Sequence, residues 1–390
     1  MPERAIVIVL GTADWDQPIA TNQHYVTNEL AKEFDVRFIE SIGLRRPEWR
    51  LRDLRRIGRR LAALVTRREA SAGVPRRREH IKVITPLILP IHTGAFARVN
   101  QYLLGRVMDR AAQGVAPAKL LWTYSPVTYG AEERFDGFVY HCVDLLGEVN
   151  GISSEVIERA ERRIAPIVDT SIATTETVAS SLRVRGHEPI LWPNVADTSA
   201  IDGARSGAGD RVAGRVVFAG NLAPQKVDFP LLRLLVEHDV DLHLAGPIAE
   251  GGGESSKEVE DLVRRGATYH GSLSLHDLSG LYWSSCVGLI PYVINDYTRG
   301  VSPLKTFEYL AAGLAVVSTA VPSVSEQQGH VAIRNGGVDF LNAVTHFSSP
   351  PSSAQEAARA KIAQQNSWVG RGSTAREVAR SLVARKLSRH

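Results

Sequence analysis

Three observations predict an α/β chain made of two doubly wound domains. Short apolar runs rich in Val and Ile alternate with longer stretches of helical periodicity, the pattern of a parallel sheet covered on both faces. The alternation stops once, over Val195–Arg215, where residues are small, polar and glycine-containing, and then restarts. The length of 390 residues, at roughly 150 per domain, suffices for two full cores.

In the first half the strands read Ala5–Leu10, Val36–Ile39, Ile81–Ile84, Lys119–Trp122, Phe138–Val143, Ser171–Thr174 and Ile190–Trp192. Helical patterns lie over Asn22–Phe34 and over residues 94–113, 152–165 and 175–186. The second half gives strands at Arg215–Gly220, Asp241–Ala245, Ala267–Tyr269, Val287–Ile290 and Ala315–Val317, then a helical tail from Ser353 to Leu387. The expected division is an N-terminal domain over 1–197, a linker over 198–214, a C-terminal domain over 215–350 and a tail over 351–390.

An apolar fraction of 44% and a charged fraction of 23% exclude wholesale disorder and fibrous classes. Two cysteines, Cys142 and Cys286, exclude a disulfide framework and a four-cysteine zinc site, and they suit a reducing, cytoplasmic setting. No run reaches the ~18 apolar residues of a membrane-spanning helix. Ala5–Leu10 is too short for a signal-peptide core and reads as the first strand.

The net charge of +4 is unevenly spread. Arg45–Arg78 holds thirteen arginines, no lysine and three acids, a local +10 that leaves −6 on the rest. Within this basic segment (45–80) Leu51, Leu54, Ile57, Leu61 and Leu64 follow helical spacing, and Arg52, Arg55, Arg56, Arg59 and Arg60 fill the other face. Such a helix can lie on an anionic membrane, hold a diphosphate or nucleic acid, or be a solvated helix packed by its leucine stripe.

The most specific stretch is Ser302-Pro303-Leu304-Lys305-Thr306-Phe307-Glu308, continuing to Gly313 and the apolar Ala315-Val316-Val317. It reads as loop, helix, glycine stop and buried strand, with Pro303 in the first turn and Gly313 as the left-handed cap. Ser302 and the amides near Leu304 and Lys305 would then form an anion site at a helix N-terminus. Glu308, one turn on, is placed to accept hydrogen bonds from vicinal hydroxyls. A phosphate at the helix tip and a ribose diol at the carboxylate describe a bound nucleotide. The alternative for Lys305 and Glu308 is an ordinary solvated helix pair.

On these residues the chain resembles the donor domain of the GT-B nucleotide-sugar glycosyltransferases, whose two Rossmann-like domains face each other across a cleft. Val217-Phe218-Ala219-Gly220-Asn221-Leu222 resembles the family's first strand and glycine turn, and Gly271-Ser272-Leu273 its nucleobase loop. The resemblance implies a C-terminal helix returning to the N-terminal domain, a nucleotide sugar (a uridine one) in the C-terminal domain and an acceptor in the N-terminal domain. It gives Glu308 the ribose hydroxyls and gives Lys305 and Ser302 the diphosphate. Lys226 falls where many members place a diphosphate-binding lysine; otherwise it is an exposed loop lysine. Many retaining members carry a glutamate eight positions before the one that matches Glu308, and here that position is Gly300. The arrangement is closer to the branch of bacterial polysaccharide transferases that includes glucuronosyltransferases and teichuronic acid transferases.

In the first half, Asp144 ends the strand at Phe138–Val143. Ligands of open α/β sheets bind beyond the strands' carboxyl ends. Asp144 is therefore the candidate base for deprotonating an acceptor hydroxyl; otherwise it is an N-cap or a structural acid. His141, the second catalytic candidate, lies three residues earlier and on the opposite face of a regular strand, where a core histidine is the common outcome. Trp15 and Asp16, after the first strand, are candidates for an acceptor wall, with His24 opening the next helix. Trp15 can stack on a sugar or pack under the loop. Asp296, Tyr297 and Arg299 precede the donor segment and are candidates for sugar contact, Arg299 suiting an acidic sugar. The twelve histidines do not cluster at metal spacing, so no metal ligands are assigned and no cofactor is expected beyond the co-substrate.

The expected function is glycosyl transfer from a nucleotide sugar to a lipid-linked or cell-surface polysaccharide precursor, with the basic segment at an anionic membrane and nucleic acid an unlikely partner. The alternatives are a soluble small-molecule acceptor, a nucleotide-sugar epimerase, and a non-catalytic membrane- or RNA-binding module.

Overall fold

The computed structural model describes residues 4–17, 20–45, 81–207, 209–248, 255–325 and 330–388. The basic segment 46–80, with its expected amphipathic helix, lies outside them. The chain divides into two compact units, one of residues 4–192 and 372–388, the other of residues 193–371.

The first unit holds a parallel seven-stranded sheet of β1 (Ile6–Leu10), β2 (Asp35–Ile39), β3 (Ile81–Ile84), β4 (Lys119–Thr123), β5 (Gly137–Cys142), β6 (Thr170–Ala173) and β7 (Pro189–Leu191), in the order β3-β2-β1-β4-β5-β6-β7. Every residue of β1 and β5 is buried, as continuous apolar runs under two helical layers require. The order reverses between β1 and β4, which pair in register from Ile6 opposite Lys119 to Leu10 opposite Thr123.

The second unit repeats the plan with β8 (Arg215–Ala219), β9 (Asp241–Ala245), β10 (Thr268–Tyr269), β11 (Val287–Ile290), β12 (Ala315–Ser318) and β13 (Ala332–Ile333), all parallel, in the order β10-β9-β8-β11-β12-β13. Its reversal lies between β8 and β11. In such sheets the carboxyl ends of the strands at a reversal are the usual ligand position.

Three details differ from expectation. The helix after β1 spans Asn22–Leu30 and then tightens, with the Lys32 and Glu33 amides donating three residues back to the Glu29 and Leu30 carbonyls. The stretch read as linker contains a helix, Thr198–Gly203, capped by the Asp197 carboxylate. Its single strong apolar residue, Ile201, is fully buried, and the Ile201 carbonyl accepts from Trp283 Nε1 at 2.9 Å. The tail forms two helices, and the first, Ser353–Gln365, packs on the helix Lys305–Ala311 of its own unit. Of the second, Trp368–Leu387, residues from Gly372 onward join the first unit. There Arg376 pairs with Glu29 and Glu33, Arg385 with Asp169 and Lys386 with Asp136.

Burial lowers the proton affinity of several histidines. His24 Nδ1 accepts the Thr21 amide, which puts the ring proton on Nε2 facing the Asp14 carbonyl. His187 Nε2 donates to the Glu161 carbonyl, and its Nδ1 faces the Ser171 hydroxyl. Desolvation holds both below the ordinary value of 6.5. Below 6.5 the unfolded chain takes up protons that the folded chain refuses, so stability present above that pH is lost as pH falls through it. The melting temperature is therefore expected to drop between about pH 7.5 and about pH 5.5, and to drop less in His24→Gln. An identical fall in the variant would remove His24 from this account.

Candidate functional site

The second unit's crevice is built from the loops that follow β8, β10 and β11. Gly220 ends β8, and its amide donates to the Ala245 carbonyl at 2.9 Å. The Gly246 amide donates to the Gly271 carbonyl at 2.8 Å. These bonds bring Gly220, Asn221 and Gly271 onto one rim. Lys226 reaches the same rim: its Nζ stands 4.7 Å over the ring of Tyr292, two residues past β11. Asn295 joins the loops further, donating from Nδ2 to the Gln225 carbonyl while its Oδ1 caps the short helix Asp296–Arg299. Within that helix Asp296 and Arg299 are solvent-exposed and pair at 3.5 Å, and Tyr297 is half-buried.

The segment from Ser302 to Ser318 folds as loop, helix, glycine stop and strand, as its sequence requires. The helix spans Lys305–Ala311 with Leu304 at its cap, so Pro303 lies just before the first turn and its carbonyl accepts the Thr306 amide. Gly313 takes the left-handed φ of +76° that ends the helix. The Ser302 loop is pinned from far away in sequence. Asn194 donates from its backbone amide to the Ser302 hydroxyl and from Nδ2 to the Ser302 carbonyl, at 3.2 and 2.7 Å.

Lys305 and Glu308 are not a solvated pair. The two side chains are 15% and 7% exposed and meet at 2.6 Å. Glu308 Oε2 also accepts from the Tyr282 hydroxyl at 2.9 Å. Burial, with the neighbouring Glu308 charge, pushes the Tyr282 phenol well above its ordinary range, so it remains a donor. Tyr282 packs edge-on to Tyr309, 5.1 Å between centroids, and the Tyr309 hydroxyl accepts the Ala219 amide at the end of β8. Tyr309 fits only because β11 carries Gly288, where a Cβ would lie 2.3 Å from its ring. The result is a carboxylate, an ammonium and a phenol fixed at the β8–β11 reversal. This set can hold vicinal hydroxyls and an anion side by side. Among the described residues, no group of three or more His, Cys, Asp or Glu side chains is arranged to hold a metal ion.

The first unit's rim is mostly filled by its own side chains. Trp15 is 1% exposed, packed on Phe38 and His24, and its amide donates to Glu40 Oε1 at 2.9 Å. It is the packed aromatic of the two alternatives and offers no face to a sugar. His24, fully buried with both ring nitrogens engaged, is a structural cap. Asp16 is exposed on the loop after β1, beside the reversal. His141, 1% exposed, stacks on Tyr124 at 4.9 Å and meets Trp192 edge-on at 5.9 Å. That enclosure corrects its candidacy as a catalytic group. Asp144 is half-buried in the turn beyond β5, one strand from the reversal. Its carbonyl accepts from the Cys142 thiol, which burial keeps protonated.

Sequence reasoning did not find Asn194, Tyr292 or the role of Tyr282, because their partners lie from 26 to 108 residues away where they are bonded. Removing one member of the buried cluster leaves another unanswered. Lys305→Ala is expected to cost on the order of 2–3 kcal/mol of stability. Tyr282→Phe, which removes a single donor, is expected to cost about 1–2 kcal/mol. Urea unfolding would measure both, and an unchanged midpoint in Lys305→Ala would show that Glu308 does not need its cation.

Residues 213–361 match the family described as glycosyl transferases group 1. TuaH of Bacillus subtilis (strain 168), named as a teichuronic acid biosynthesis glycosyltransferase, is 28% identical over 213 residues, 50% of this chain and 53% of that protein. The match thus spans about half the length of this curated relative. Among solved structures, the Anabaena protein HepE in complex with UDP and glucose superposes with a TM-score of 0.62 at 15% identity, over 97% of this chain and 99% of that one. Sucrose-phosphate synthase of Thermosynechococcus elongatus gives 0.69 at 15% identity, over 98% and 99%. These likenesses concern the fold, and the matched segment holds all of the buried Tyr282–Lys305–Glu308 cluster. Residues 213–361 therefore match a group 1 glycosyl transferase domain, and the chain has the GT-B fold of the structures on which it superposes.

Proposed function

We propose that the chain transfers a sugar from a nucleoside diphosphate sugar, a UDP-sugar, to a hydroxyl of a cell-surface polysaccharide precursor. One observation carries the reading: Glu308, Lys305 and Tyr282 form a buried carboxylate–ammonium–phenol cluster at the strand reversal of the domain that matches the family. The polysaccharide assignment is supported by the teichuronic acid relative, and the uridine base by the HepE structures with UDP and with UDP-glucose.

In this reading Glu308 accepts the ribose hydroxyls. Lys305 turns from Glu308 toward the diphosphate, where Ser302 and Lys226 join it. The acceptor oxygen attacks the anomeric carbon while the carbon–oxygen bond to the diphosphate breaks, and the nucleoside diphosphate leaves with the electron pair. The cationic groups stabilise that charge, as preorganised donors do at any developing anion. Asp144 takes the acceptor's proton, and Asp16 belongs to the acceptor's surroundings. The acceptor is lipid-linked and is met at an anionic membrane through the Arg45–Arg78 segment. Among the described residues, no helix is long and apolar enough to cross a membrane.

The direct test is thermal stabilisation by uridine, guanosine, thymidine and adenosine diphosphates, since a ligand of the folded state raises stability by RT ln(1 + [L]/Kd). UDP is expected to give the largest shift, and Glu308→Ala to abolish it. No shift with any nucleotide in a folded protein would sink the donor assignment. Asp144→Asn is expected to lower kcat about 100-fold or more with the donor KM unchanged, the usual weight of a general base. A chelator is expected to leave the transfer rate unaltered, and loss of activity restored by a divalent cation would refute the metal-free account.

A further inference from the structure

Among the described residues, six of the first unit's twelve exposed large apolar side chains lie in one short stretch. Leu87, Leu89, Ile91, Phe96, Val99 and Tyr102 fall within sixteen consecutive residues, each between 38% and 61% exposed. The helix Gly94–Ala111 buries Asn100, Leu104, Met108 and Ala111 against the unit. Phe96, Val99 and Tyr102, at three-residue spacing, cover its outer side. Before the helix the chain is extended. Pro86 and Ile88 point inward, and Leu87 and Leu89 point outward.

This surface is held rigidly. Asn100 is fully buried; its Oδ1 accepts the Leu89 amide, and its Nδ2 donates to the Leu89 and Ile91 carbonyls, all at 2.9 Å. One side chain thus binds the outward-facing loop to the outward-facing helix. Along the segment itself the charge has a single sign. From His80 to Met108 there is no Asp or Glu, and Lys82, Arg98 and Arg106 are exposed. Arg106 stands 5.8 Å over the Tyr102 ring and donates to its hydroxyl at 2.9 Å. The next acid, Asp109, is paired with Arg134. Exposed apolar side chains gathered on one segment in this way mark an interaction site.

We infer that this face docks on an anionic lipid bilayer, with the six apolar side chains entering the interfacial layer and Lys82, Arg98 and Arg106 meeting lipid phosphates. The inference rests on the membrane-surface part of the proposed function and adds to it an insertion face made of residues outside Arg45–Arg78. Exposed apolar side chains interspersed with cations, with an amphipathic tyrosine among them, match the acyl–headgroup boundary. A second copy is a poor occupant, because a self-complementary contact would bring Arg98 and Arg106 against their own counterparts.

The test is co-sedimentation of the full chain with vesicles of phosphatidylcholine alone and of phosphatidylcholine with phosphatidylglycerol. The wild type is compared with Leu87→Ser/Phe96→Ser/Tyr102→Ser and with Arg98→Gln/Arg106→Gln. The wild type is expected to bind the anionic vesicles far more tightly. The serine variant is expected to lose about tenfold or more of that partitioning while keeping its melting temperature. The glutamine variant is expected to bind with a weaker dependence on salt. Wild-type binding that the serine variant retains would overturn the insertion face and leave the basic segment to carry the membrane reading. No wild-type binding to either vesicle would overturn both. A wild-type dimer that the serine variant splits, with vesicle binding unchanged, would overturn the inference in favour of self-association.

Discussion

A carboxylate held almost out of water has to be answered by a cation or a donor, and Glu308 is answered by both. An isolated buried charge costs several kcal/mol even after relaxation, so its neighbours are constrained first and the rest of the domain adjusts around them. Tyr282 must bring its hydroxyl within reach, which fixes the helix Leu275–Trp283. Tyr309 must support Tyr282, which requires that β11 present bare backbone at Gly288. The Tyr309 hydroxyl then holds the Ala219 amide, tying β8 to the same point. Four elements distant in sequence are therefore aligned by one charged group.

The two units share a sheet plan but treat their reversals differently. In the first, Gln23, His24 and Glu40 bond the loop after β1 from beneath, and Trp15 fills the space under it. Among the described residues near solvent there are two carboxylates, Asp16 and Asp144. In the second, cations gather at the rim: Lys226 over Tyr292 and Lys305 beside Glu308. A surface that leaves acids accessible suits taking a proton, and one that gathers cations suits holding an anion. Fold alone supplies neither property, since the backbone plan is the same in both.

Much of this was legible in the sequence. The strands announced themselves as continuous apolar runs, because a parallel sheet buried on both faces leaves no alternation to misread. Pro303, Gly313 and the run Ala315–Val317 set the order of the Ser302–Ser318 segment, although Pro303 proved to precede the helix. What stayed hidden depended on distance or on size. The helix Thr198–Gly203 has a single strong apolar residue, too little for periodicity to register. Asn194 clasps Ser302 from the far end of its domain, and nothing local marks an asparagine for that role. Trp15 and His141 could be placed at strand ends but not turned inward or outward, because that choice belongs to the packing of Phe38, Tyr124 and Trp192 around them.

The chain enters the first unit, leaves it after Trp192, builds the whole second unit, and returns at Gly372. The second unit is thus an insertion in the first. Synthesis runs from the N-terminus, so the first sheet must wait for its last helix until the second domain has emerged. Until then Glu29, Glu33 and Asp169 have no Arg376 or Arg385 to meet, and Gly137 lacks the cover of Leu382. Folding order is thereby written into connectivity: the second domain can close on its own contacts while the first remains open, and the final helix acts as the latch that completes it.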